Sequence, residues 1–452
     1  MNGDSSGAVG RLRRVIKRDG NVVPYDRERI ATAVLKALVS VGRGDRGLAD
    51  AIAGRVEDLL IAGYGPDGVP TVEDIQDVVE RVLMQDGHVD VARAYIIYRH
   101  ERARLRDARA RRIEATDNIP YRIIYEVLRW NLDHECASVD QLNRRLAEGR
   151  WADLVRDAEA RYEAEVRTAA ERVQERSGVR LVIVAGPSSS GKTTTTIKLS
   201  HHLRAAGLRL VALNLDNYFF DLEQHPRDEY GDYDYETPTA LDVELINRHV
   251  GELLDGREVR TPRYDFKTGR RTPEADSLRL GPDELLLLDS LHGLYGPMTA
   301  SVSADRKFRV YIETLEQVRG MDGEFLRWAD LRMMRRMVRD ARHRNHPPLH
   351  TITHWHYVRS SELKHIIPFI GTADYIINSA MPYELPLLKP RVERFLPEAM
   401  NLCRDDPRRQ DAYMRARRLH EWLKPLMALD DDSEVPRTSV VREFIGGSQY
   451  DY

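Results

Sequence analysis

One stretch near the middle of the chain, residues 181–200, limits what the whole sequence can fold into. It begins with the apolar run LVIVA, continues through GPSSSGKT and ends at the start of a helix-like pattern, whose apolar residues include Ile197, Leu199 and, just beyond the stretch, Leu203. A buried strand, a glycine-bounded turn and a helix, in this order, place backbone N–H groups and the positive helix end around an anion. The pattern G-x-x-x-x-G-K-[ST] therefore predicts a phosphate-binding loop, and a chance glycine- and serine-rich turn is the competing interpretation.

The residue types in this loop have separate predicted roles. Gly186 and Gly191 let the backbone curl toward a phosphate, because glycine has no Cβ. Lys192 is expected to reach the outer phosphates, and the Thr193 hydroxyl is expected to hold Mg²⁺. The predicted ATP contacts are Gly186, Ser188, Ser189, Ser190, Gly191, Lys192, Thr193 and Thr194.

Length and charge set broader limits on the protein. A chain of 452 residues is too long for one ordinary core and predicts two or three domains. A net charge of -3 provides no global basic field, which argues against nucleic acid as a partner. No apolar run approaches the length of a membrane span, and the first residues lack a signal-peptide core. We therefore expect a cytoplasmic protein without a membrane partner, and the sequence leaves a homo-oligomer open.

The first hundred residues predict a small, mostly helical domain. Val15-Ile16 and Val22-Val23 flank Asp19-Gly20, which is a hairpin turn signal. Asp26 can then cap a helix with apolar residues at helical spacing, and further helical patterns follow up to about residue 105. A hairpin and a helical bundle follow from these patterns.

Parts of this segment resemble the ATP-cone, a regulatory nucleotide-binding domain of ribonucleotide reductases and their repressor. The resemblance rests on VIKRDG at 15–20, YD at 25–26 before Arg29-Ile30, and YIIYR at 95–99. It implies a regulatory ATP or dATP site at Lys17, Arg18 and Arg29. A solvated basic hairpin is the competing interpretation of these charges.

A second apolar run, residues 209–215, ends at Asp216. In open α/β sheets, ligands lie beyond the carboxyl ends of the strands. A carboxylate in that place, beside a phosphate loop, can take the proton of a hydroxyl group that attacks the γ-phosphate. The same side chain could instead cap the turn that follows, and its position alone leaves both interpretations open.

Further segments after the loop carry a second resemblance. They are DNYF at 216–219, PTALD at 238–242, PRYDF at 262–266, ELLLLD at 284–289 and DLRMMRRMVRD at 330–340. In this order they resemble the phosphoribulokinase/uridine kinase family, over about residues 138–447. The arginines of the last segment could otherwise belong to a solvated basic helix.

The family resemblance implies a role for particular residues. Asp216 would act as the general base, while Lys192, Arg335 and Mg²⁺ would stabilise the transferring phosphoryl group. The implied substrate contacts are Asp234, Tyr264, Arg332 and Arg339, and the implied Mg²⁺ ligands are Thr193 and Asp289.

Two positions depart from the family pattern. Ser290 stands where a glycine is usual, directly after the strand that ends at Asp289. Gly269 stands where uridine kinases carry a histidine that contacts the base. A pyrimidine nucleoside is therefore expected only by analogy, with uridine or cytidine as the acceptor.

These observations together predict an α/β protein with a P-loop-type parallel sheet flanked by helices. The predicted domains are a disordered tail at 1–10, an ATP-cone at 11–109, a helical connector at 110–177 and a uridine kinase-like domain at 178–452. The predicted activity is ATP-dependent 5′-phosphorylation of a nucleoside under control of the ATP-cone. A kinase of another alcohol, such as a sugar phosphate or pantothenate, and a non-catalytic nucleotide sensor are the alternatives.

Overall fold

The computed structural model describes residues 12–17, 22–65, 68–110, 118–227, 233, 236–343 and 347–451. The chain divides into two compact units. One comprises Met1–Glu114 with Asn401–Gln410, and the other comprises Ala115–Met400 with Asp411–Tyr452. The predicted tail at 1–10 lies outside the described residues.

The smaller unit contains an antiparallel strand pair followed by helices. The strands pair in register, with Val15 opposite Val23. The elements are β1 (Arg14–Ile16), β2 (Val22–Pro24), α1 (Arg27–Ser40), α2 (Arg46–Tyr64), α3 (Val72–Gln85) and α4 (Val89–Ala110).

Side-chain caps and one apolar core explain these helices. Asp26 caps α1 by accepting a hydrogen bond from the backbone N–H of Glu28 at 3.1 Å. Thr71 and Asp74 form a reciprocal capping box at the start of α3. The core is built from the apolar faces of the helices, which bury Val34, Leu38, Ile52, Val56, Val79, Leu83 and Tyr95.

Three helices precede the central sheet of the larger unit. They are α5 (Tyr121–Asp133), α6 (Val139–Ala147) and α7 (Trp151–Glu175). Along α7, apolar residues at helical spacing face the protein interior, as the sequence predicts. The buried residues on this face include Leu154, Ala158, Tyr162, Val166, Ala169 and Val173.

The remaining elements begin with a strand, a helix and a strand and end in helices. In chain order they are β3 (Leu181–Ala185), α8 (Lys192–Ala205), β4 (Arg209–Asn214), α9 (Val243–Leu254), β5 (Val259–Asp265), β6 (Arg270–Leu278), β7 (Glu284–Ser290), β8 (Lys307–Glu313), α10 (Trp328–His343), α11 (Pro348–His365), β9 (Tyr375–Asn378), α12 (Glu384–Val392), α13 (Leu396–Arg404), α14 (Gln410–Leu423) and α15 (Arg442–Ile445).

Within the described residues, the central sheet has the strand order β4-β7-β3-β8-β9, and every pairing in it is parallel. All residues of β3 are buried, which explains why this strand is a continuous apolar run. Helices flank the sheet, so the predicted α/β fold class is confirmed. Because the strands are parallel, the residues that follow β3, β4 and β7 meet at one edge.

The segment around PRYDF belongs to a two-stranded sheet that is separate from the central one. It forms an antiparallel hairpin of β5 and β6, with Tyr264 opposite Arg271. Burial along β5 largely alternates, with Val259, Thr261 and Tyr264 inside. The charged residues Arg260, Arg263 and Asp265 occupy the outer face of this hairpin.

Among the residues that the structure describes, no helix is both long enough and apolar enough to cross a lipid bilayer.

Candidate active site

The glycine loop between β3 and α8 is held open by close contacts that only glycine permits. A Cβ on Gly186 would stand 2.4 Å from the carbonyl oxygen of Ile312 in β8. Gly191 has a φ of +84°, and a Cβ there would stand 2.4 Å from Cγ2 of Val440. Gly186 is therefore required by its close neighbours, and Gly191 by its backbone conformation as well.

Two of the three serines in the loop, Ser189 and Ser190, present buried hydroxyl groups. The Oγ atoms of Ser189 and Ser190 are buried and have no hydrogen-bond partner among the described residues. Buried hydroxyl groups normally form a hydrogen bond, so these two can serve a ligand that brings its own oxygen atoms. The cradle and its donors fit a phosphate.

Asp289 lies at the sheet edge where the sequence predicts a metal ligand. In the register of the sheet it is opposite Val184 in β3 and Asn214 in β4. Burial raises the pKa of Asp289, while the nearby ammonium of Lys192 and a hydrogen bond from Thr196 lower it. The carboxylate therefore lies within electrostatic reach of the loop lysine, and Thr193 is exposed at the start of α8.

Asp216 follows β4 in a 3-10 turn, Leu215–Tyr218. Its backbone N–H donates to Oδ1 of Asn214 at 2.9 Å, so Asn214 caps the turn. Asp216 itself is exposed at the same sheet edge as the loop. Its predicted role as general base stays a prediction that this position permits.

The arginines of α10 are placed in three different environments. Arg332 is buried between two carboxylates, with Nε 2.9 Å from Glu313 and Nη2 donating to Glu362 at 2.9 Å. Its Nη1 also donates to the carbonyl oxygen of Ser188 at 3.2 Å. Arg332 thus supports the glycine loop, and its contact with the substrate stays a prediction.

Arg335 is completely buried in a bidentate ion pair. Its Nε and Nη2 atoms each lie 2.7 Å from the carboxylate of Glu384, and Nη2 also donates to the carbonyl oxygen of Ser379 at 2.7 Å. The Ser379 hydroxyl in turn donates to the carbonyl oxygen of Ser190 at 2.5 Å. The predicted contact of Arg335 with phosphate remains a prediction. Arg339, further along α10, lies 3.2 Å from Asp340.

Arg336 connects the glycine loop to Glu236, and neither residue is among the site residues predicted from the sequence. Nη1 of Arg336 lies 3.1 Å from both the Ser188 hydroxyl and a carboxylate oxygen of Glu236. The helical spacing of Arg332 and Arg336 was a usable signal for the arginine. Glu236 lies among several acidic residues, and only the fold selects it.

His292, directly beyond β7, is a second residue that the sequence reasoning missed. Its Nε2 lies 2.9 Å from the carbonyl oxygen of Glu236, which can only accept, so Nε2 carries the proton. Burial lowers the pKa of His292 to about 4, and the charge of Lys192 contributes in the same direction. A neutral histidine therefore holds the segment at Glu236 beside the loop.

A cluster of aromatic side chains lies at the end of β5. The ring of Tyr264 lies 5.5 Å from that of Phe219 and 5.0 Å from that of Phe266, measured between centroids. Phe266 is 62% exposed and Tyr264 is buried. The backbone N–H of Tyr264 donates to Asn217 at 3.3 Å, which ties this cluster to the turn that carries Asp216.

The predicted regulatory residues lie in the smaller unit. Lys17 follows β1 and is half-buried. Arg29 is exposed on α1, and its Nε lies 3.4 Å from Asp26, the residue that caps the helix. Arg18 of this predicted site, and Asp234 of the predicted substrate site, lie outside the described residues.

The fold and the site define a P-loop protein whose glycine loop lies beside carboxylates at neighbouring strand ends. The "Phosphoribulokinase / Uridine kinase family" model matches residues 181–385, and the "ATP cone domain" model matches residues 13–104. A uridine kinase of Deinococcus deserti is 30% identical over 195 residues, which are 43% of this chain and 84% of that relative. The chain belongs to the phosphoribulokinase/uridine kinase family and carries an ATP-cone fused to its kinase domain.

Two further similarities concern separate parts of the chain. A vitamin B12-dependent ribonucleoside-diphosphate reductase of Mycobacterium tuberculosis is 46% identical over 97 residues, which are 22% of this chain and 13% of that relative. A solved structure described as a possible uridine kinase from Bacillus stearothermophilus is 15% identical, with a TM-score of 0.34. It covers 48% of this chain and 98% of that chain.

Proposed function

We propose that the protein transfers the γ-phosphoryl group of ATP to the 5′-hydroxyl of a nucleoside. The observation that carries this proposal is the meeting of the glycine loop, Asp216 and Asp289 at one edge of the parallel sheet. The similarity to uridine kinases supports a nucleoside as the acceptor. In the reaction, the acceptor oxygen bonds to the γ-phosphorus, the bond to the bridging oxygen breaks, and ADP leaves.

The residues of the loop fit ATP and Mg²⁺. The hydroxyls of Ser189 and Ser190, which have no hydrogen-bond partner among the described residues, match the oxygen atoms of phosphates, and the tight packing at Gly186 fixes the loop that carries them. Thr193 and Asp289 would hold Mg²⁺, which neutralises charge on the phosphate oxygens when it is bound. Lys192, close to Asp289, supplies the fixed positive charge for the outer phosphates.

Asp216 is the proposed general base. A carboxylate exposed at the end of β4 can accept the hydroxyl proton as the oxygen attacks. The aromatic cluster of Phe219, Tyr264 and Phe266 offers a surface on which a planar base can stack. Asp234, Arg332 and Arg339 complete the acceptor side in this proposal, with Arg335 on the phosphate side.

The first experiment is incubation of the full chain with ATP, Mg²⁺ and a pool of nucleosides, followed by detection of new monophosphates. We expect one dominant product, with uridine or cytidine as the acceptor. A phosphorylated sugar phosphate or pantothenate in a parallel pool, without a nucleotide product, would point to the other kinase class. ATP binding without transfer to any acceptor would point to a nucleotide sensor.

Asp216→Asn tests the proposed base. The variant should bind ATP as the wild type does and lose at least about a thousandfold in kcat, because the attacking hydroxyl keeps its proton. Asp283→Asn is the matched control, since Asp283 is exposed before β7, at the opposite edge of the sheet. Turnover of Asp216→Asn at the control rate would exclude this base assignment.

The ATP-cone is proposed to regulate this activity through a second nucleotide. The site would use Lys17, Arg18 and Arg29, and dATP or ATP would act as the effector. Addition of dATP to the full chain at a fixed ATP concentration should change the rate of nucleoside phosphorylation. An unchanged rate over the whole range of dATP would remove this part of the proposal.

A further inference from the structure

A short segment near the end of the chain packs directly on the glycine loop. It comprises residues 439–446, beyond the 181–385 range matched by the kinase family. Ser439, Val440, Val441 and Phe444 are fully buried, and α15 forms the second half of the segment. Val440 fills the space above Gly191, where a Cβ would stand only 2.4 Å from its methyl group. We call residues 439–446 the C-terminal latch.

The latch places a carboxylate on the first turn of the P-loop helix. Oε2 of Glu443 accepts a hydrogen bond from the backbone N–H of Thr194 at 3.2 Å and another from its hydroxyl at 2.8 Å. Glu443 is only 6% exposed, so water screens this contact weakly. Thr194 follows Lys192 and Thr193, and its two donors are among those predicted to bind the phosphates of ATP.

The position of this carboxylate is fixed by the latch and its neighbours. Arg442 donates to the carbonyl oxygens of Asp432 at 2.7 Å and Val435 at 2.8 Å. On the other side, Arg342 of α10 donates to the carbonyl oxygen of Ile445 at 2.9 Å. The guanidinium of Arg335, also on α10, lies 4.9 Å from the ring centre of Phe444. Glu443 is therefore held against the P-loop helix by contacts on both sides.

We propose that Glu443 is an internal competitor of the nucleotide and sets the affinity of the P-loop for ATP. This inference rests on the proposed function, because it requires ATP at the loop. The N-terminus of a helix favours one anion, and the carboxylate uses the donors that a phosphate oxygen would use. A phosphate beside a buried carboxylate is repelled, so binding of ATP displaces Glu443 and loosens the latch from α8.

The contact between Glu443 and the P-loop helix cannot be recognised from the sequence. The carboxylate and its partner Thr194 are 249 residues apart in the chain. Because the latch also contacts α10, displacement of Glu443 connects nucleotide binding to the helix that carries Arg332, Arg335 and Arg336. The affinity for ATP is thus lowered by the protein itself until the phosphates replace the carboxylate.

The test is the affinity of Glu443→Gln for a non-hydrolysable ATP analogue and for inorganic tripolyphosphate, measured by calorimetry on the full chain. Glutamine keeps the shape and can still accept from Thr194, but it removes the negative charge. We expect both ligands to bind about tenfold tighter or more, as loss of a charge-assisted contact implies. Glu434→Gln, an exposed glutamate just before the latch, should keep the wild-type affinity.

The outcomes separate the inference from the proposed function. If the wild type binds ATP and Lys192→Ala abolishes binding, but Glu443→Gln binds no tighter, Glu443 is a permanent helix cap and only the inference fails. If neither the wild type nor Glu443→Gln binds ATP, the proposed function and the inference fail together.

Hydrogen exchange on the wild type tests the same inference without a substitution. Addition of the ATP analogue should accelerate amide exchange in the latch at least severalfold, because its contact with α8 is broken. Unchanged or slower exchange in the latch, with protection of the glycine loop showing that the ligand is bound, would overturn the proposal.

Discussion

Two roles are possible for Arg335: a contact with the transferring phosphate, or a buried ion pair that stabilises the fold. The sequence resemblance places its guanidinium on a transferring phosphate, whereas in the structure the group is buried against Glu384 and Ser379. A buried arginine that already has a carboxylate partner would have to exchange it for a phosphate during the reaction. Stability and activity measurements together can separate these roles.

Arg335→Met should lower the free energy of unfolding by about 3–5 kcal/mol, because it leaves Glu384 as an unpaired buried charge. The double variant Arg335→Met with Glu384→Gln should regain much of that loss, since the charge is then removed. Denaturant unfolding of both variants and the wild type measures the effect. Wild-type stability of Arg335→Met with a loss of phosphoryl transfer would instead support the predicted phosphate contact.

At the scale of elements, helix α8 has a glycine with a positive φ at each end. Gly191 has a positive φ and has Val440 of the latch directly above it. Gly207, past the other end of α8, has a similar φ of +86° with nothing within 4 Å of a Cβ position. Substitution of Gly207 therefore adds backbone strain alone, whereas substitution of Gly191 adds both backbone strain and a clash with the latch.

Gly207→Ala should cost about 1–2 kcal/mol of stability, which is the strain of a left-handed alanine. Gly191→Ala should cost more, because the added methyl group also displaces Val440 from the loop. Thermal unfolding of both variants gives the comparison. Equal losses of stability in the two variants would show that Val440 can move away from the added methyl group at no measurable cost.

The packing of α5 against the sheet contains a buried acid. Oε1 of Glu316, beyond β8, accepts hydrogen bonds from Asn131 of α5 and from the backbone N–H of Gln317. Its Oε2 atom is buried and has no hydrogen-bond partner in the part of the chain that the structure describes. Burial raises the pKa of Glu316 to about 7, although these two hydrogen bonds lower it.

Glu316 should make the stability of the protein fall as the pH rises from about 4.5 to about 7. The folded protein keeps this proton where the unfolded chain has lost it, so each step upward in pH favours unfolding. Glu316→Gln should remove this slope and be more stable than the wild type at pH 8, by about 3 kcal/mol at most. Urea unfolding at pH 5 and pH 8 measures both effects.

Glu324→Gln is the matched control, because this glutamate is exposed and close to Glu316 in the chain. It should follow the pH dependence of the wild type. If the stability of Glu316→Gln also follows the wild-type pH dependence, the carboxyl group of Glu316 has the same pKa in the folded and the unfolded protein. Any slope that is observed then comes from another group.

At the scale of the whole molecule, the chain joins an ATP-cone to a kinase domain. A regulatory nucleotide in the cone can alter the kinase only if it binds one of two states of the protein more tightly. Lys17 is half-buried and Arg29 is exposed, so substitution of either should leave the core of the smaller unit intact.

Lys17→Ala and Arg29→Ala should each weaken the response of the kinase rate to dATP by about tenfold or more in effector concentration. Lys36→Ala, an exposed lysine on α1, is the control and should keep the wild-type response. Rates are measured over a dATP series at fixed ATP and nucleoside. A normal dATP response in both cone variants would place the effector elsewhere.

The elements with strong local signals could be predicted from sequence alone. Neighbours in the chain set all of these elements. They are the apolar run of β3 with the glycine pattern that follows it, the helix caps at Asp26 and Thr71, and the limits of α9. Local physics decides them, because steric limits on the backbone, helix caps and periodic burial act over a few residues.

The tertiary structure alone decided which distant groups share the site. Three contacts join parts of the chain that no local pattern connects. Glu443 accepts from Thr194, Arg336 contacts both Ser188 and Glu236, and His292 donates to the carbonyl oxygen of Glu236. The hairpin of β5 and β6 likewise depends on pairing across a turn and not on the polarity of either half. The sequence by itself determines features that depend on a few adjacent residues. Contacts between distant side chains depend on how the elements pack, and only the folded chain specifies that packing.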